Sequence, residues 1–396
     1  MLRGHGDDAY LFGRAIRSDF SSNVYSHVDL EPLKAHLRAH LDVIGHYPEP
    51  EPYRLEKALA ERLGIAPSTV CVTAGATEAI YHIAHAFSGR HSTILAPTFS
   101  EYADACRMYQ HSIAHSVAPV SVLLPKKGRF AGHRPPLHSL LNECGNDGYL
   151  GSEPCVGLVE QPVFLFCEGS QQKRVPVAPG EKASVIWLCN PNNPTGSVIP
   201  KEQMIQAIEE NPDTIFVMDQ SYGFFTKEEL LTPAEAVRYP NALQLHSMTK
   251  RYAMPGLRLG YVTGHPALIE QVRAVRMPWS VNALAIEAGL FLCAHPDTAP
   301  IDLPALLAET QRLVEALNDI PGLTAEPTQT HFFLCSLSKG SAADLKRWLA
   351  DRHSILIRDA SNFQGLDDGC FRIATQTREE NDRLVHAIRQ YLEDGR

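Results

Sequence analysis

Short apolar runs alternate with amphipathic stretches through the central part of the chain, and this alternation constrains the fold most. The apolar runs lie at residues 70–72, 93–96, 185–188, 215–218 and 259–262. Residues 77–84 and 102–106, which follow the first two runs, have apolar positions at helical spacing. Apolar strands that alternate with helices are typical of a largely parallel sheet covered on both faces. The pattern therefore predicts an α/β fold.

A change of pattern after Pro278 predicts a second, smaller domain. A long helical stretch runs through residues 283–288 and continues beyond Pro304. Two short strands and a closing helix follow, at residues 332–334, 355–357 and 379–392. The 396 residues also exceed what one compact core usually organises. We predict an N-terminal arm that packs with the small domain, a large domain and a small C-terminal α+β domain, over residues 1–45, 46–279 and 280–396.

Residues 119–182 interrupt the alternation of the large domain. They are rich in Gly, Pro and His, and a loop of this length is usually functional, disordered or structured in its own right. Strand-like runs at residues 156–159 and 163–166 favour a small structured insertion. His133 and His138 lack cysteine or carboxylate partners at metal-ligand spacing, so we interpret them as exposed loop histidines and predict no metal site.

Composition and charge argue against several classes of protein. The 45 acidic residues outnumber the 36 basic ones and give a formal net charge of -9, whereas nucleic-acid binders normally show a basic stripe. No apolar run is long enough to cross a bilayer, and the first residues lack the apolar core of a signal peptide. The nine cysteines form no Cys-x-x-Cys pair. We therefore expect a reducing cytoplasm and neither nucleic-acid nor membrane partners.

The strongest chemical signal is the segment 247–261, which combines hydroxyl groups, one lysine, a Pro-Gly turn and an arginine. The amine of Lys250 can condense with an aldehyde, and Ser247, Thr249 and Arg258 can hold a phosphate dianion beside it. A surface lysine in a turn would explain Lys250 alone but not the whole segment. The segment therefore predicts a site that binds an aldehyde and a phosphate together.

Three further polar groups follow predicted strands, where open α/β sheets bind their ligands. Residues 190–196 are rich in Pro, Asn and Gly, which by itself indicates only a turn. Asp219 follows an apolar run that predicts a buried strand. A carboxylate at such a position often caps the next helix, which is the simplest interpretation of Asp219. Gly75, Ala76 and Thr77 join a strand to the start of a helix, and helix N-termini bind phosphate through free backbone N–H groups.

In this order along the chain, the motifs resemble those of fold-type-I pyridoxal-phosphate (PLP) enzymes, the class I and II aminotransferase family. The resemblance covers nearly the whole chain apart from the insertion. It implies an aspartate-aminotransferase-like large domain with a mostly parallel seven-stranded sheet between helices, and a smaller α+β C-terminal domain. It also implies PLP as the cofactor, which Lys250 would carry as a Schiff base.

The resemblance assigns roles to individual residues. Asn193 and Tyr222 would hydrogen-bond the ring oxygen O3′ of PLP, and Asp219 would keep its pyridine nitrogen protonated, which makes the ring an electron sink. Phe99 would stack on the ring. The cofactor phosphate would bind to Gly75, Ala76, Thr77, Ser247, Thr249 and Arg258. Tyr47 would reach the active site of the neighbouring subunit, which implies a homodimer with shared sites.

Within the family, the chain is similar to two groups that act on phosphorylated amino compounds: the threonine-phosphate decarboxylases of cobalamin biosynthesis and the histidinol-phosphate aminotransferases. The segments that favour the decarboxylases are residues 5–6, 19–23, 277–283, 355–358 and 362–367. Residues 377–381 favour the aminotransferases. Asp7 replaces a glycine of the decarboxylase pattern, and the absence of proline after Asn23 departs from both patterns.

The same residues can serve either activity, because PLP breaks the Cα bond that stands perpendicular to its ring. If Arg372 holds the α-carboxylate in the ring plane, the Cα–H bond is aligned and transamination follows. If Arg372 and Arg358, with His5 and Asn23, hold a substrate phosphate, the carboxylate can leave as CO₂. The expected reaction converts L-threonine O-3-phosphate into (R)-1-amino-2-propanol O-2-phosphate. The alternative is an aminotransferase that uses histidinol phosphate and 2-oxoglutarate.

A non-catalytic PLP-binding regulator is a third, more remote interpretation. Such regulators carry an N-terminal DNA-binding domain ahead of this fold. Here the predicted arm begins within the first residues and the charge is acidic. The presence of both Lys250 and Asp219 also favours an enzyme.

Overall fold

The computed structural model describes residues 8–13, 15–117, 163–168, 171–176 and 185–395. The strands are β1 (Ser18–Asp19), β2 (Val70–Thr73), β3 (His91–Ala96), β4 (Ser112–Val117), β5 (Val163–Glu168), β6 (Gln171–Pro176), β7 (Val185–Cys189), β8 (Ile215–Asp219), β9 (Ala242–Ser247), β10 (Gly260–Gly264), β11 (Leu323–Ala325), β12 (Phe332–Leu337), β13 (Ile355–Leu356), β14 (Arg358–Asp359) and β15 (Cys370–Ala374). The helices are α1 (Glu31–Ala39), α2 (Tyr53–Leu63), α3 (Ala76–Ala86), α4 (Glu101–Met108), α5 (Lys201–Glu210), α6 (Pro233–Ala236), α7 (Met248–Arg251), α8 (Pro266–Ala274), α9 (Ala283–Ala294), α10 (Leu303–Asn318), α11 (Ala342–His353) and α12 (Arg378–Glu393). Among the described residues, no helix combines the length and the apolarity needed to cross a bilayer.

Seven strands form one sheet in the order β2-β10-β9-β8-β7-β3-β4. Strand β10 runs antiparallel to both of its neighbours, and the other adjacent strands are parallel. The central strands β7 and β8, which correspond to the apolar runs at 185–188 and 215–218, are buried along their whole length. Burial of this kind is expected for strands covered on both faces. The predicted α/β class with a mostly parallel seven-stranded sheet is confirmed.

Side chains of β7 pack into a different core on each face of the sheet, because successive residues of a strand point in opposite directions. Trp187 is fully buried, donates its indole N–H to the Ser92 hydroxyl at 3.1 Å and stacks on Tyr102 of α4. Ile186 and Leu188 pack on the other face, in a cluster that includes side chains of α5. Packing on both faces fixes the position of the strand's carboxyl end.

A four-stranded antiparallel sheet, β11-β12-β15-β14, lies in the C-terminal part of the chain. Its Phe333 and Phe371 share a core with side chains of α10, α11 and α12. The N-terminal segment joins this part, since β1 pairs in parallel with β13 and Phe20 is buried in the same core. The exact domain boundaries given above stay a prediction.

The prediction of one continuous helical stretch through residues 283–288 and beyond Pro304 is wrong. The structure contains two helices here, α9 and α10, separated by a connection that holds Pro296 and Pro300. Proline removes a backbone donor and disfavours the helical conformation of the residue before it. Pro304, in contrast, lies in the first turn of α10, where its missing N–H has no intrahelical acceptor to lose.

The predicted insertion is only partly covered by the described residues. Strands β5 and β6 pair antiparallel along their whole length, so the strand-like run at 163–166 does form a strand. The run at 156–159 lies outside the described residues, as do His133 and His138.

Candidate active site

The carboxyl ends of β2, β3, β7, β8 and β9 face a cavity of about 330 Å³. The N-terminal segment 21–24 and strands β14 and β15 complete its walls. Most of the predicted site residues line it: Asn23, Ala76, Thr77, Phe99, Asn193, Asp219, Tyr222, Ser247, Thr249, Lys250, Arg258, Arg358 and Arg372. The fold therefore brings together side chains that are spread over most of the sequence.

The lysine and the arginine of segment 247–261 reach the cavity through a tight return of the chain. Helix α7 begins directly after β9 and carries Lys250, and β10 then runs back beside β9 with Gly260 opposite Ser247. The backbone N–H of Met248 donates to the carbonyl of Leu259 at 3.2 Å and closes the return. This geometry positions both ends of the segment at one site.

Gly75, at the start of α3, lies under the guanidinium of Arg258. A Cβ atom at Gly75 would lie 2.7 Å from Arg258 Nη2, and the φ of +89° also favours glycine. Ala76 and Thr77 follow in the first turn of α3, where backbone N–H groups have no intrahelical acceptors. The hydroxyl of Thr249 is buried and has no hydrogen-bond partner among the described residues. Guanidinium, hydroxyl and free N–H groups are the donors that a phosphate requires.

Asp219 is held by two hydrogen bonds at the end of β8. The Tyr102 hydroxyl donates to Asp219 Oδ2 at 2.7 Å, and the Ser221 backbone N–H donates to Oδ1 at 2.8 Å. Burial raises the pKa of Asp219 above its usual value, although the hydrogen bonds from Ser221 and Tyr102 act in the opposite direction. The carboxylate is thus oriented and shielded from water, as a partner for a basic ring nitrogen must be.

The three asparagines of segment 190–196 have different partners. Asn190 exchanges hydrogen bonds with the backbone of Ile199, and Asn192 donates to the Pro97 carbonyl at 2.9 Å. Asn193 instead lines the cavity, and its Oδ1 accepts a hydrogen bond from Arg372 Nη1. The amide nitrogen of Asn193 remains as a donor, which agrees with the role that the resemblance implies.

Two aromatic side chains of the predicted site also line the cavity. Tyr222 is buried and its ring packs edge-on against Phe332, with 4.8 Å between centroids. Burial raises the pKa of Tyr222, so its hydroxyl stays protonated and can donate a hydrogen bond. Phe99 packs edge-on against Tyr102 at 5.9 Å.

Arg358 and Arg372 form a pair of buried cations at the far wall of the cavity. They are directly opposite each other on the antiparallel strands β14 and β15. Their hydrogen bonds go to neutral oxygens: the carbonyls of Asp359 and Ser21 and the side chains of Asn362 and Asn193. Burial lowers the pKa of each arginine to about 10, which leaves both charged at neutral pH.

Like charges placed directly opposite on a sheet destabilise it, and burying a charge without a counter-ion is costly. Among the described residues, neither Arg358 nor Arg372 forms an ion pair with a carboxylate. An anionic ligand in the cavity would supply the missing negative charge. The pair therefore indicates an anion-binding site opposite Lys250.

Of the predicted site residues that the structure describes, Gly75 and Tyr47 are not among the lining residues, and Gly75 lies behind the guanidinium of Arg258. Tyr47 is 88% exposed and its ring lies 5.8 Å from that of Trp279, on the surface of its own chain. His5 lies outside the described residues. Tyr102, Ser221 and Asn362 also line the cavity, although no site role was predicted for them. The available signals were weak, since Tyr102 follows Phe99 by three positions and Asn362 follows Arg358 by four.

The fold and the donor groups at this cavity define a PLP-dependent enzyme of fold type I. The chain belongs to the family Aminotransferase class I and II, whose sequence model matches residues 17–118 and 168–388. The cofactor is PLP, and the phosphate donors, the buried carboxylate and the lysine of this cavity fit it.

Three known proteins illustrate the similarity. The threonine-phosphate decarboxylase of Salmonella typhimurium is 28% identical over 94% of this chain and 91% of its own length. The histidinol-phosphate aminotransferase of Caldanaerobacter subterraneus is 27% identical over 88% and 85%. The crystal structure of L-threonine-O-3-phosphate decarboxylase from Porphyromonas gingivalis superimposes with a TM-score of 0.77 and 34% identity, over 94% of this chain and 99% of that one.

Proposed function

We propose that this enzyme decarboxylates L-threonine O-3-phosphate to (R)-1-amino-2-propanol O-2-phosphate. The observation that carries the proposal is the pair of buried arginines, Arg358 and Arg372, on neighbouring strands of the cavity wall, which form no ion pair with a carboxylate of the described residues. One bidentate arginine satisfies a carboxylate, whereas a phosphate dianion can accept hydrogen bonds from two. A substrate phosphate at this wall would leave the α-carboxylate free to stand perpendicular to the cofactor ring.

Different residues of the cavity would serve different steps of this reaction. When bound, PLP withdraws the electron pair that the departing carboxylate leaves at Cα. Asp219 would keep the ring nitrogen protonated, and Asn193 and Tyr222 would donate hydrogen bonds to the ring oxygen. Lys250 would hold the cofactor and would supply the proton that replaces the departing carboxylate at Cα. The reaction belongs to cobalamin biosynthesis, the pathway that the resemblance implies.

A histidinol-phosphate-type aminotransferase is the alternative, because the relatives include aminotransferases of this kind as well as decarboxylases. The segment that resembles the aminotransferases, residues 377–381, begins α12. Thr377 accepts a hydrogen bond from the Glu380 backbone, and the Glu380 side chain accepts one from Thr377 in return, which is a capping box. Helix capping thus explains two positions of this segment without reference to the substrate.

Assays on two substrates separate the activities. We expect CO₂ from L-threonine O-3-phosphate and no glutamate from histidinol phosphate with 2-oxoglutarate. Arg358→Gln should lower kcat/KM for threonine phosphate by about 10- to 100-fold, because a charge-assisted hydrogen bond is lost, and should change kcat/KM for unphosphorylated L-threonine much less. Glutamate without CO₂ would make the protein an aminotransferase and assign Arg372 to the α-carboxylate.

We further propose that the enzyme is a homodimer with shared active sites. The exposed ring of Tyr47 supports this, because it lies beside that of Trp279 (49% exposed), which follows the exposed Met277 (72%) by two positions. Large apolar side chains exposed next to one another mark interaction surfaces more often than isolated ones do. In such a dimer, Tyr47 would contact the cofactor bound to the partner's lysine.

Mixed dimers test the shared site. A heterodimer of Tyr47→Phe and Lys250→Ala subunits contains one fully wild-type site, so mixing the two inactive or impaired proteins should restore up to half of the wild-type activity per dimer. Activity is measured as CO₂ release after co-expression and separation of the heterodimer by two affinity tags. Tyr10→Phe, which alters another highly exposed tyrosine, should leave activity unchanged. A pure heterodimer no more active than its parents would exclude a shared site.

We also propose a cytoplasmic location. The described cysteines Cys71, Cys106, Cys189, Cys293, Cys335 and Cys370 are free thiols. Free thiols without disulfides are the usual state of cysteines in a reducing compartment.

A further inference from the structure

A cluster of metal-ligating side chains lies outside the active site, between α1 and α9. His36 Nε2 is 2.7 Å from Glu287 Oε1, and His40 Nε2 is 4.0 Å from the same oxygen. One ligand atom from each of the three residues lies within 4.8 Å of the others. His36 and His40 are four positions apart, the spacing that places two histidines on one face of a helix.

Hydrogen bonding and stacking orient the two imidazole rings. His40 Nδ1 is 2.8 Å from the carbonyl oxygen of His36, and a carbonyl can only accept, so Nδ1 of His40 carries the proton. In the neutral ring, Nε2 of His40 therefore has its lone pair free towards Glu287. The His36 ring stacks on His40 at 4.1 Å and on Phe291 at 4.5 Å. The hydrogen bond from Nδ1 of His40 to a backbone carbonyl is typical of histidines that bind metals through Nε2.

We propose that His36, His40 and Glu287 bind one divalent transition-metal ion of the Zn²⁺ type. Two imidazole nitrogens and one carboxylate oxygen are ligands that suit Zn²⁺, whereas Mg²⁺ and Ca²⁺ prefer oxygen ligands alone. Tetrahedral bonds of about 2.0–2.1 Å place ligand atoms roughly 3.3 Å apart. The observed separations of 2.7 and 4.0 Å from Glu287 Oε1 bracket this value. Because the two rings are stacked, one of them must rotate about its side-chain bonds to bring both lone pairs onto the ion. Water would be the fourth ligand.

Ion pairs from protonated His36 and His40 to Glu287 are the simpler account of the cluster, because both Nε2 atoms lie within 4.0 Å of the same carboxylate oxygen. The two accounts differ in their response to Zn²⁺, since only the metal site predicts specific binding of the ion. The positive charge of Arg54 also acts on Glu287, and the pKa of Arg54 is raised partly by the Glu287 carboxylate. Arg54 would lower the affinity for a cation but is not among the three ligands.

The site would join two parts of the chain that are far apart in sequence. His36 and Glu287 are separated by 251 positions, and α1 closely follows the segment 21–24 that lines the active-site cavity. A bound ion would therefore hold the N-terminal segment against α9. Binding to the folded state alone also raises the melting temperature.

Zinc titration of the untagged holoenzyme, after removal of metals with a chelator, tests the proposal. We expect the wild type to bind one equivalent of Zn²⁺ per chain. His40→Ala and Glu287→Gln should bind Zn²⁺ at least about tenfold more weakly. Zn²⁺ should raise the Tm of the wild type and of His295→Ala but not of the two ligand variants. His295 is the matched control, because its ring also packs against Phe291, at 4.5 Å, but is not one of the clustered ligands.

Two outcomes would overturn the site. One is a wild-type stoichiometry and Tm response equal to those of His40→Ala, which would place any bound zinc elsewhere. The other is an equal loss in His295→Ala, which would show that disturbance of Phe291 rather than loss of a ligand weakens binding. His40 is exposed at the end of α1, so His40→Ala should retain the fold. Circular dichroism of each variant checks this expectation.

Discussion

Lys250→Ala should lower the rate of CO₂ release by more than about 10⁴-fold, the largest effect expected of any single substitution in this chain. In the proposed active site, Lys250 would bond to the cofactor and would move a proton at Cα. Decarboxylation and transamination both require these two functions, so the result does not depend on which activity is correct. Single-turnover assays and the visible absorption of the lysine-bound cofactor measure the two losses separately.

Lys250→Arg is the matched control for charge. Arginine keeps a cation near Asp219, whose pKa the Lys250 charge lowers, but it cannot form the covalent bond. We expect Lys250→Arg to be as inactive as Lys250→Ala while retaining more of the cofactor through its phosphate contacts. Borohydride reduction of the wild type should attach the cofactor to the peptide that contains Lys250. Attachment to another lysine, or activity in Lys250→Arg, would move the site.

The central strands were predictable because their surroundings require apolar side chains on both faces. Strands β7 and β8 are buried throughout, and a continuous apolar run is the simplest signal in a sequence. Strand β14 is the opposite case. It consists of Arg358 and Asp359 alone, and it forms because it pairs with β15 beside it. No apolar pattern marks such a strand.

The active site was predictable where its residues belong to compact motifs. Segment 247–261 and Asn193 are of this kind. Contacts between distant segments were not predictable, since a hydrogen bond such as that from Tyr102 to Asp219 joins residues 117 positions apart. The prediction that the chain has no metal site likewise considered only residues close together in the sequence. The His36–His40 pair becomes a candidate site only when packing of α1 on α9 adds Glu287.

Asp219→Asn should leave the cofactor bound and lower turnover on the order of 10³-fold or more, comparable to or larger than the loss of a preorganised electrostatic group in other active sites. The substitution preserves the local structure for a specific reason. The Ser221 N–H can only donate, so the oxygen of the introduced amide must face it, at the position of Oδ1. The amide nitrogen then faces Tyr102, whose hydroxyl can accept instead of donate. The neutral amide lacks the negative charge that keeps the ring nitrogen protonated.

Tyr102→Phe separates this electronic effect from a loss of positioning. It removes the hydrogen bond to Oδ2 but leaves the carboxylate, which Ser221 still orients. We expect no more than about a tenfold loss, because the carboxylate keeps its charge and its hydrogen bond from Ser221, and Tyr102 acts on the ring nitrogen only through Asp219. Cofactor content after gel filtration and the rate of CO₂ release are measured for both variants. Equal losses in Asp219→Asn and Tyr102→Phe would make Asp219 a positioning residue. A much larger loss in Asp219→Asn, with cofactor retained, is the result that its charge, burial and two fixed hydrogen bonds require.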